Sequence, residues 1–130
     1  MATYNSFKVA FRNFVITDPT VTALIGTRFY GAFLASLKDP VFPNATFYPD
    51  PGTDFAGGIV NDFNLNISAH TDTTFDDAAV IFDTIRTSLK NQLISSILTS
   101  VGMRTTPVEH YDELSRIYTV TAKFRIIRFS

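Results

Sequence analysis

The residues of this chain that could support acid–base or metal chemistry are its two histidines and the aspartates near one of them. Asp62 lies eight positions before His70, and Asp72 lies two positions after it. Imidazole and carboxylate groups are common metal ligands, so Asp62, His70 and Asp72 at the end of one strand form a hypothetical cation site. The His-x-Asp spacing matches no established ligand motif, however. We favour ordinary polar residues at strand ends as the interpretation of both His70 and His110.

The remaining candidate residues give no better catalytic site. Asp72, Asp76 and Asp77 lack the spacing and the distal glutamate of a calcium-binding loop, and helix capping accounts for the last two. Gly57-Gly58 leads from a loop into a strand, which is not the context of a phosphate-binding loop. The chain has no cysteine, so it has no thiolate ligand or thiol nucleophile. We therefore expect no catalytic residue, no metal and no cofactor, and a protein that is not an enzyme.

Length and composition narrow the class of protein further. A chain of 130 residues with 45% hydrophobic residues suits one domain, 1–130, with a core of its own. A net charge of −1 argues against general nucleic-acid binding, which needs a basic excess. No apolar run approaches the roughly 20 residues of a membrane span, so we expect no membrane association.

The charges are unevenly distributed along the sequence. Residues 38–83 carry one lysine against eight aspartates, a net charge of −7, whereas residues 84–130 carry a net charge of +4. Either the chain folds back so that the two segments meet, or it presents two complementary surfaces, which a head-to-tail ring requires. The candidate subunit-interface residues are Asp72, Asp76 and Asp77 on the acidic side and Lys123, Arg125 and Arg128 on the basic side.

The helices that must position these residues are indicated by apolar spacing and by capping residues. Apolar residues spaced by three and four predict a helix over 3–16. Asp18-Pro19 predicts the start of a second, short helix that ends at Gly26. The main helix is predicted over 74–93, with Thr74 as its cap. Its expected buried side consists of Phe75, Ala79, Phe82, Ile85 (or Arg86), Leu89 and Leu93.

Alternation of apolar and polar residues predicts the strands. Residues 59–69 form the clearest strand, and its polar face (Asp62, Asn64, Asn66 and Ser68) should look at water, a partner or a lumen. Residues 103–129 predict a hairpin with a turn at 111–115, and the break in alternation at Ile126-Ile127 predicts a bulge or the end of the strand there. Short strands are expected near 28–30 and 46–48. The fold class is therefore α+β: a mixed, mainly antiparallel sheet of about four strands, with the main helix on one face and a short N-terminal helical pair.

The order of several segments resembles that of the tail-terminator (tail-completion) proteins of long-tailed bacteriophages. The resembling segments are Asp18-Pro19-Thr20-Val21-Thr22-Ala23-Leu24-Ile25-Gly26-Thr27-Arg28-Phe29-Tyr30, Phe47-Tyr48-Pro49, the strand Asp62–Ser68 leading through His70-Thr71-Asp72 into Asp76–Leu93, and Tyr111–Tyr118 with the final strand. The chain departs from the family in the longer, proline-rich stretch 34–51.

The resemblance implies a structural virion protein of the tail and neck, assembled in the host cytoplasm. It implies a hexameric ring at the head-proximal end of the tail, which ends polymerisation of the tail tube and gives the head a docking surface. The implied partners are further copies of the chain, the tail tube protein, the neck or connector protein, and genomic DNA that passes through the lumen without sequence-specific binding. No site residue is carried over from the family.

Two alternatives remain open at this point. The first is another head–tail connector or neck protein of the same virion. The second, from a different class, is a small α+β ligand-binding domain that uses the polar sheet face of Asn64, Asn66 and Ser68.

Overall fold

The computed structural model of the chain describes residues 4–49, 60–89 and 98–129, with side chains described for 7–49, 64–89 and 103–126. Three helices and six strands make up these segments. In chain order they are α1 (Tyr4–Ile16), α2 (Pro19–Ile25), β1 (Phe29–Tyr30), a 3-10 turn (Leu34–Ser36), β2 (Asn44–Pro49), β3 (Val60–Thr71), α3 (Phe75–Leu89), β4 (Leu98–Met103), β5 (Val108–Asp112) and β6 (Ile117–Phe129).

The strands form one mixed sheet in the order β1-β2-β3-β6-β4, and β5 also pairs with β6. β1 and β2 are parallel, and every other pair is antiparallel. β3 and β6 form the centre of the sheet and pair without interruption from Val60 opposite Phe129 to Thr71 opposite Tyr118. The predicted α+β class is confirmed. The sheet has six strands in place of about four; β4 (Leu98–Met103) lies almost wholly before the predicted hairpin, which begins at Met103.

The edge formed by β4 and β5 differs in detail from the predicted hairpin. The backbone N–H groups of Arg104 and Thr105 both donate to the Lys123 carbonyl, and the Lys123 N–H donates to Thr105 Oγ1 at 2.9 Å. This local arrangement separates β4 from β5, and the turn falls at 113–116. The bulge expected in β6 at Ile126-Ile127 is absent from its pairing with β3; the shift in register lies in the opposite strand β4, between Leu98 and Ser100.

Helix α3 packs on one face of the sheet and supplies much of the core. Phe82 lies against Phe124 of β6, with 6.0 Å between ring centroids. The buried side of α3 consists of Ala78, Ile81, Phe82, Ile85 and Leu89. The buried side differs from the predicted one by a small rotation about the helix axis: Ala78 and Ile81 are buried, whereas Phe75 and Ala79 are half-buried. Leu93 lies outside the described residues. The predicted cap is confirmed, because the Asp77 N–H donates to Thr74 Oγ1 at 3.1 Å.

The N-terminal helices close the same face of the sheet. Phe11 of α1 packs edge-on against Phe47 of β2 at 5.0 Å, and Phe47 stacks on Phe29 of β1 at 4.8 Å. Arg12 fixes the position of α1 by donating from Nε to the Phe29 carbonyl at 2.8 Å. The predicted second helix is confirmed, with Asp18 accepting from the Thr20 N–H at 2.9 Å. No helix among the described residues combines the length and apolar character that crossing a bilayer requires.

Candidate subunit interface

The acidic interface candidates lie at the end of the sheet where β6 begins. Thr71, the last residue of β3, pairs with Tyr118 near the start of β6. The first residue of α3, Phe75, packs edge-on against the same tyrosine with 4.9 Å between ring centroids. The three aspartates in and beside this connection are all exposed; they are Asp72, Asp76 and Asp77. Asp77 also accepts a hydrogen bond from Thr73 Oγ1.

The hairpin of β5 and β6 adds carboxylates to this end of the sheet that are not among the candidates predicted from the sequence. Glu109, Asp112 and Glu113 are exposed there, beside Arg116. The Asp112 carboxylate accepts from the Leu114 N–H at 3.0 Å. Hydrogen bonds from the Ser115 hydroxyl and the Leu114 N–H lower the pKa of Asp112, so this carboxyl stays ionised in mildly acidic solution. We call Asp72, Asp76, Asp77 and the hairpin carboxylates together the acidic end.

The basic candidates lie towards the opposite end of β6. Lys123 and Arg125 are exposed, and they lie opposite Asn66 and Asn64 of β3 on the sheet face away from α3. Arg104 is exposed beside them in the connection after β4. The backbone of Arg128 pairs with that of Asn61. The side chain of Arg128 is not among the side chains that the structure describes. We call this region the basic end.

The two sets of candidates are therefore separated within one chain. Tyr118, at the acidic end, precedes Lys123 by five residues of β6 and Arg125 by seven. At about 3.3 Å per strand residue these separations are about 16 Å and 23 Å along the strand. The pairing of β3 with β6 brings the acidic and basic segments together in the sheet, but the candidates Asp72, Asp76 and Asp77 lie at a different end from Lys123 and Arg125.

Two residues of the polar face of β3, Asn66 and Ser68, are buried, which corrects for them the prediction that this face looks at water, a partner or a lumen; Asn64 is half-buried. The exposed fractions of Asn66 and Ser68 are 8% and 4%. Ser68 Oγ donates to Thr121 Oγ1 of β6 at 2.8 Å. The segment between β1 and β2 lies against this face, since Phe33 packs on Tyr48 with 4.2 Å between ring centroids. Burial of Asn66 and Ser68 also removes them as a ready ligand-binding surface.

His70 lies on the same polar face. Only 5% of its surface is exposed. Its Nε2 lies 2.9 Å from Thr46 Oγ1 on β2, and its Nδ1 lies 2.9 Å from Thr119 Oγ1 on β6. Burial lowers the pKa of His70 to about 4, because the charged imidazolium is poorly solvated there. His70, the penultimate residue of β3, is thus a neutral hydrogen-bonding link between three strands.

The hypothetical cation site is not assembled by the fold. Asp62 pairs with Ile127 and His70 pairs with Thr119, so the two residues lie near opposite ends of β3. Eight strand residues correspond to about 26 Å, far beyond the reach of one ion. Across the described parts of the chain, no group of three histidine, aspartate or glutamate residues could hold a metal ion. His110, the other histidine, is exposed on β5.

A cavity of about 460 Å³ lies at the acidic end, between the hairpin and the segment 31–43 that connects β1 to β2. Leu34, Pro40 and Phe42 line it from the segment, and Asp112 and Ile117 line it from the hairpin. The sequence predicts a hairpin over 103–129 but does not indicate that the segment 31–43 packs beside it. The signal that could have revealed the cavity was the apolar content of 33–42, which is unusual for a solvated connection.

The fold and these surfaces define an α+β protein built on one extended sheet with oppositely charged ends. No family model and no curated protein matches the sequence. A solved structure described as "Virion of native gene transfer agent (GTA) particle" contains a chain of the same fold, with a TM-score of 0.75. The alignment covers 99% of this chain and 98% of that chain, at 18% sequence identity. At this identity the similarity establishes the fold.

Proposed function

We propose that this protein is a structural component of a phage-like virion and not an enzyme. The observation that carries the proposal is the fold shared with a chain of a gene transfer agent virion over 99% of this chain and 98% of the other. Coverage of both chains from end to end also supports a single domain over 1–130. The order of sequence segments that resembles phage tail terminators points independently to the same kind of particle.

Within that particle, we assign the chain to a hexameric ring at the head-proximal end of the tail. The ring ends polymerisation of the tail tube, because its outer face differs from the face of a tube subunit and offers no site for the next one. The same face receives the neck or connector protein, and DNA passes through the lumen without sequence-specific contacts. The sequence resemblance supports this position, and assembly takes place in the host cytoplasm.

The contact between neighbours in the ring joins the acidic end of one copy to the basic end of the next. A cyclic assembly above two copies uses two different patches on each protomer, and oppositely charged ends separated by about 16–23 Å along β6 provide such a pair. Charges at the rim of this contact direct association and set its register, and the contact weakens as salt is added.

Deletion of the gene from its phage tests the proposed function. We expect tails of abnormal length that fail to join heads in electron micrographs, and complementation with the unaltered gene should restore normal particles. Tails of normal length that lack heads would instead indicate the alternative, a neck or connector protein. Tails of normal length attached to heads would contradict both assignments.

The ligand-binding alternative loses two of the three residues on which it rested, and the third, Asn64, is half-buried. Asn66 and Ser68 are buried, and Ser68 is hydrogen-bonded to Thr121. Size-exclusion chromatography with light scattering separates the two classes: a ring protein forms a hexamer at high concentration, whereas a ligand-binding domain need not assemble.

A further inference from the structure

A second cavity at the acidic end combines apolar and acidic lining residues. It measures about 270 Å³ and lies where α2 approaches the connection between β3 and α3. Leu24, Val80 and Ile81 are its large aliphatic lining residues, and Asp72 and Asp77 supply carboxylates. The apolar part is open to water, because the exposed fraction of Val80 is 53%. We call this site the amphipathic cavity; pockets for drug-sized ligands measure about 300–1,000 Å³, so its volume suits one long side chain better.

The Asp77 carboxylate is held in place by neighbouring hydroxyl groups. Thr73 Oγ1 donates to this carboxylate and lies 2.9 Å from Thr71 Oγ1. Thr71 Oγ1 also accepts from the Thr73 N–H at 3.3 Å, and Thr71 itself is buried at the end of β3. The carboxylate is therefore tied to the sheet. A group that is fixed before its partner arrives lowers the entropic cost of docking, because less has to be ordered on binding.

The lining limits the chemistry of the occupant. Among the described residues that line the amphipathic cavity, none carries a positive charge, so an acidic peptide or a nucleic acid would be repelled. A metal ion would leave the apolar part of the lining in contact with water. A lysine or arginine side chain suits both parts, because its methylene stem covers apolar surface while its charged head meets the carboxylates. Arginine fits better than lysine, since its planar guanidinium donates two parallel hydrogen bonds to a carboxylate.

Arg104, at the basic end, has the position that such an occupant needs. It is exposed and lies outside the strands, at the edge of the sheet between β4 and β5. Its backbone is fixed, because its N–H donates to the Lys123 carbonyl at 2.7 Å. Lys123 lies about 16 Å along β6 from Tyr118, the residue opposite the last residue of β3, so Arg104 cannot reach the amphipathic cavity of its own chain. The arginine has to come from another copy.

We propose that the amphipathic cavity of one copy receives the Arg104 side chain of the next copy. The stem of Arg104 covers Leu24 and Val80, and its guanidinium donates to the carboxylates of Asp72 and Asp77. This inference rests on the proposed function and deepens it, because it supplies an anchor for the contact between the acidic and basic ends; arginines seated in pockets are common among the residues that dominate binding energy. The cavity and its occupant lie at different places on the chain, so the contact is heterologous and propagates from copy to copy until the ring closes.

Cross-linking without a spacer tests the contact directly. A carbodiimide condenses a carboxylate with a neighbouring amine to an amide and takes up the water that is lost, and Arg104→Lys supplies an amine at this position. In a mixture of isotopically heavy and light Arg104→Lys protein, we expect mass spectrometry to find residue 104 of one copy joined to Asp72 or Asp77 of another. The matched control is Arg86→Lys, which places an amine at an exposed position of α3. It should give no link from residue 86 to either aspartate of another copy.

Two substitutions provide a second test that does not depend on cross-linking. Val80→Trp fills the amphipathic cavity without changing its charge, and Arg104→Gln removes the guanidinium. Each should lower the association constant between copies, measured by light scattering, about tenfold or more while circular dichroism stays unchanged. The controls Thr87→Trp and Arg86→Gln, at exposed positions of α3, should assemble normally.

Absence of the cross-link together with normal assembly of Val80→Trp and Arg104→Gln would overturn the inference while leaving the ring in place. A chain that remains monomeric and forms no link between copies would also overturn it, and the tail phenotype of the deletion would then judge the proposed function separately.

Discussion

The two faces of the central sheet bury different kinds of side chain, and the polar face is buried only in part. The face towards the helices is apolar and is filled by rings such as Phe47, Phe82 and Phe124. The opposite face buries hydroxyl, amide and imidazole groups, among which Ser68 and His70 hydrogen-bond to threonines of the neighbouring strands. Apolar burial is nearly independent of pH, whereas a buried titratable group links stability to pH. Perturbations of the two faces should therefore differ in size and in their dependence on solution conditions.

The largest loss is expected on the helix face from Phe82→Ala. Phe82 is 1% exposed and packs against Phe124, so removing its ring deletes buried apolar area and leaves a cavity. We expect the free energy of unfolding, measured with urea, to fall by about 3–5 kcal/mol. The control is Val80→Ala on the exposed side of the same helix, which should cost less than about 1 kcal/mol. Equal losses for the two variants would show that the packing of α3 is misassigned.

The second largest effect is expected on the polar face, as a dependence of stability on pH. The pKa of His70 is lowered to about 4 in the folded protein, whereas an unfolded histidine has a pKa near 6.5. Between these values the unfolded chain binds a proton that the folded chain does not. The contribution of His70 is therefore constant above about pH 6.5 and falls as the pH is lowered towards 4, by about 3 kcal/mol in total.

Two histidine variants isolate this contribution from that of the carboxylates. His110 is exposed on β5, so His110→Gln should retain the slope of stability between pH 6.5 and 4. His70→Gln should be less stable at pH 7 and should lose that part of the slope. Urea unfolding at half-unit pH intervals measures both. Parallel pH profiles for His70→Gln and the natural protein would show that His70 is not the linked group.

The difference between the faces also explains which features the sequence could predict. Asp18, Pro19 and Gly26 act through contacts within a few residues, so the short helix was predictable from local chemistry. The alternation in β3 correctly separated its two faces. It could not show that residues of the polar face are buried, because that depends on Thr46, Thr119, Thr121 and segment 31–43, which are distant in sequence. A strand with polar residues on one side looks the same whether those residues bind water or hydroxyl groups of neighbouring strands.

The same limit applies to the candidate interface. Net charge along the chain identified an acidic and a basic segment, but only the pairing of β3 with β6 places them at separate ends of one strand. The hairpin carboxylates join the acidic end through tertiary structure, although they lie in the C-terminal segment whose net charge is positive. Whether the six candidates contact a neighbour stays a prediction.

A smaller effect is expected when one hydrogen bond of the polar face is removed. Thr119→Val keeps the shape of the side chain but leaves His70 Nδ1 without its hydroxyl partner at 2.9 Å. An unsatisfied buried polar atom costs about 1–3 kcal/mol. Urea unfolding of Thr119→Val should show a loss in this range, and Thr87→Val on the exposed side of α3 should change stability by less than about 0.5 kcal/mol. A loss for Thr119→Val no larger than for its control would mean that this bond contributes nothing to the polar face.

The smallest effect on unfolding is expected at the exposed end of the polar face, where we expect the effect on assembly to be clear. Lys123 and Arg125 share the face of His70 but lie at the surface. Reversing both charges, as Lys123→Glu with Arg125→Glu, should change the free energy of unfolding by less than about 1 kcal/mol. In the proposed contact, the same change places the two new glutamates against the aspartates at the acidic end of the neighbouring copy, and these carboxylates repel one another. The hexamer fraction in light scattering should therefore fall sharply at low salt. It should partly recover as added salt screens the repulsion.

The control has to separate the position of the charges from their number. The triple variant Ala23→Asp, Arg86→Glu, Thr87→Asp changes the net charge by the same amount at exposed positions on the helices, away from both ends of β6, and should assemble normally. A second copy carrying Asp76→Lys with Asp77→Lys should restore association when it is mixed with the Lys123→Glu, Arg125→Glu protein, because the contact pairs an acidic end with a basic end. If the reversed protein assembles as the natural one does at both low and high salt, the basic end lies outside the interface, and the charged ends of β6 serve only to keep the protein soluble.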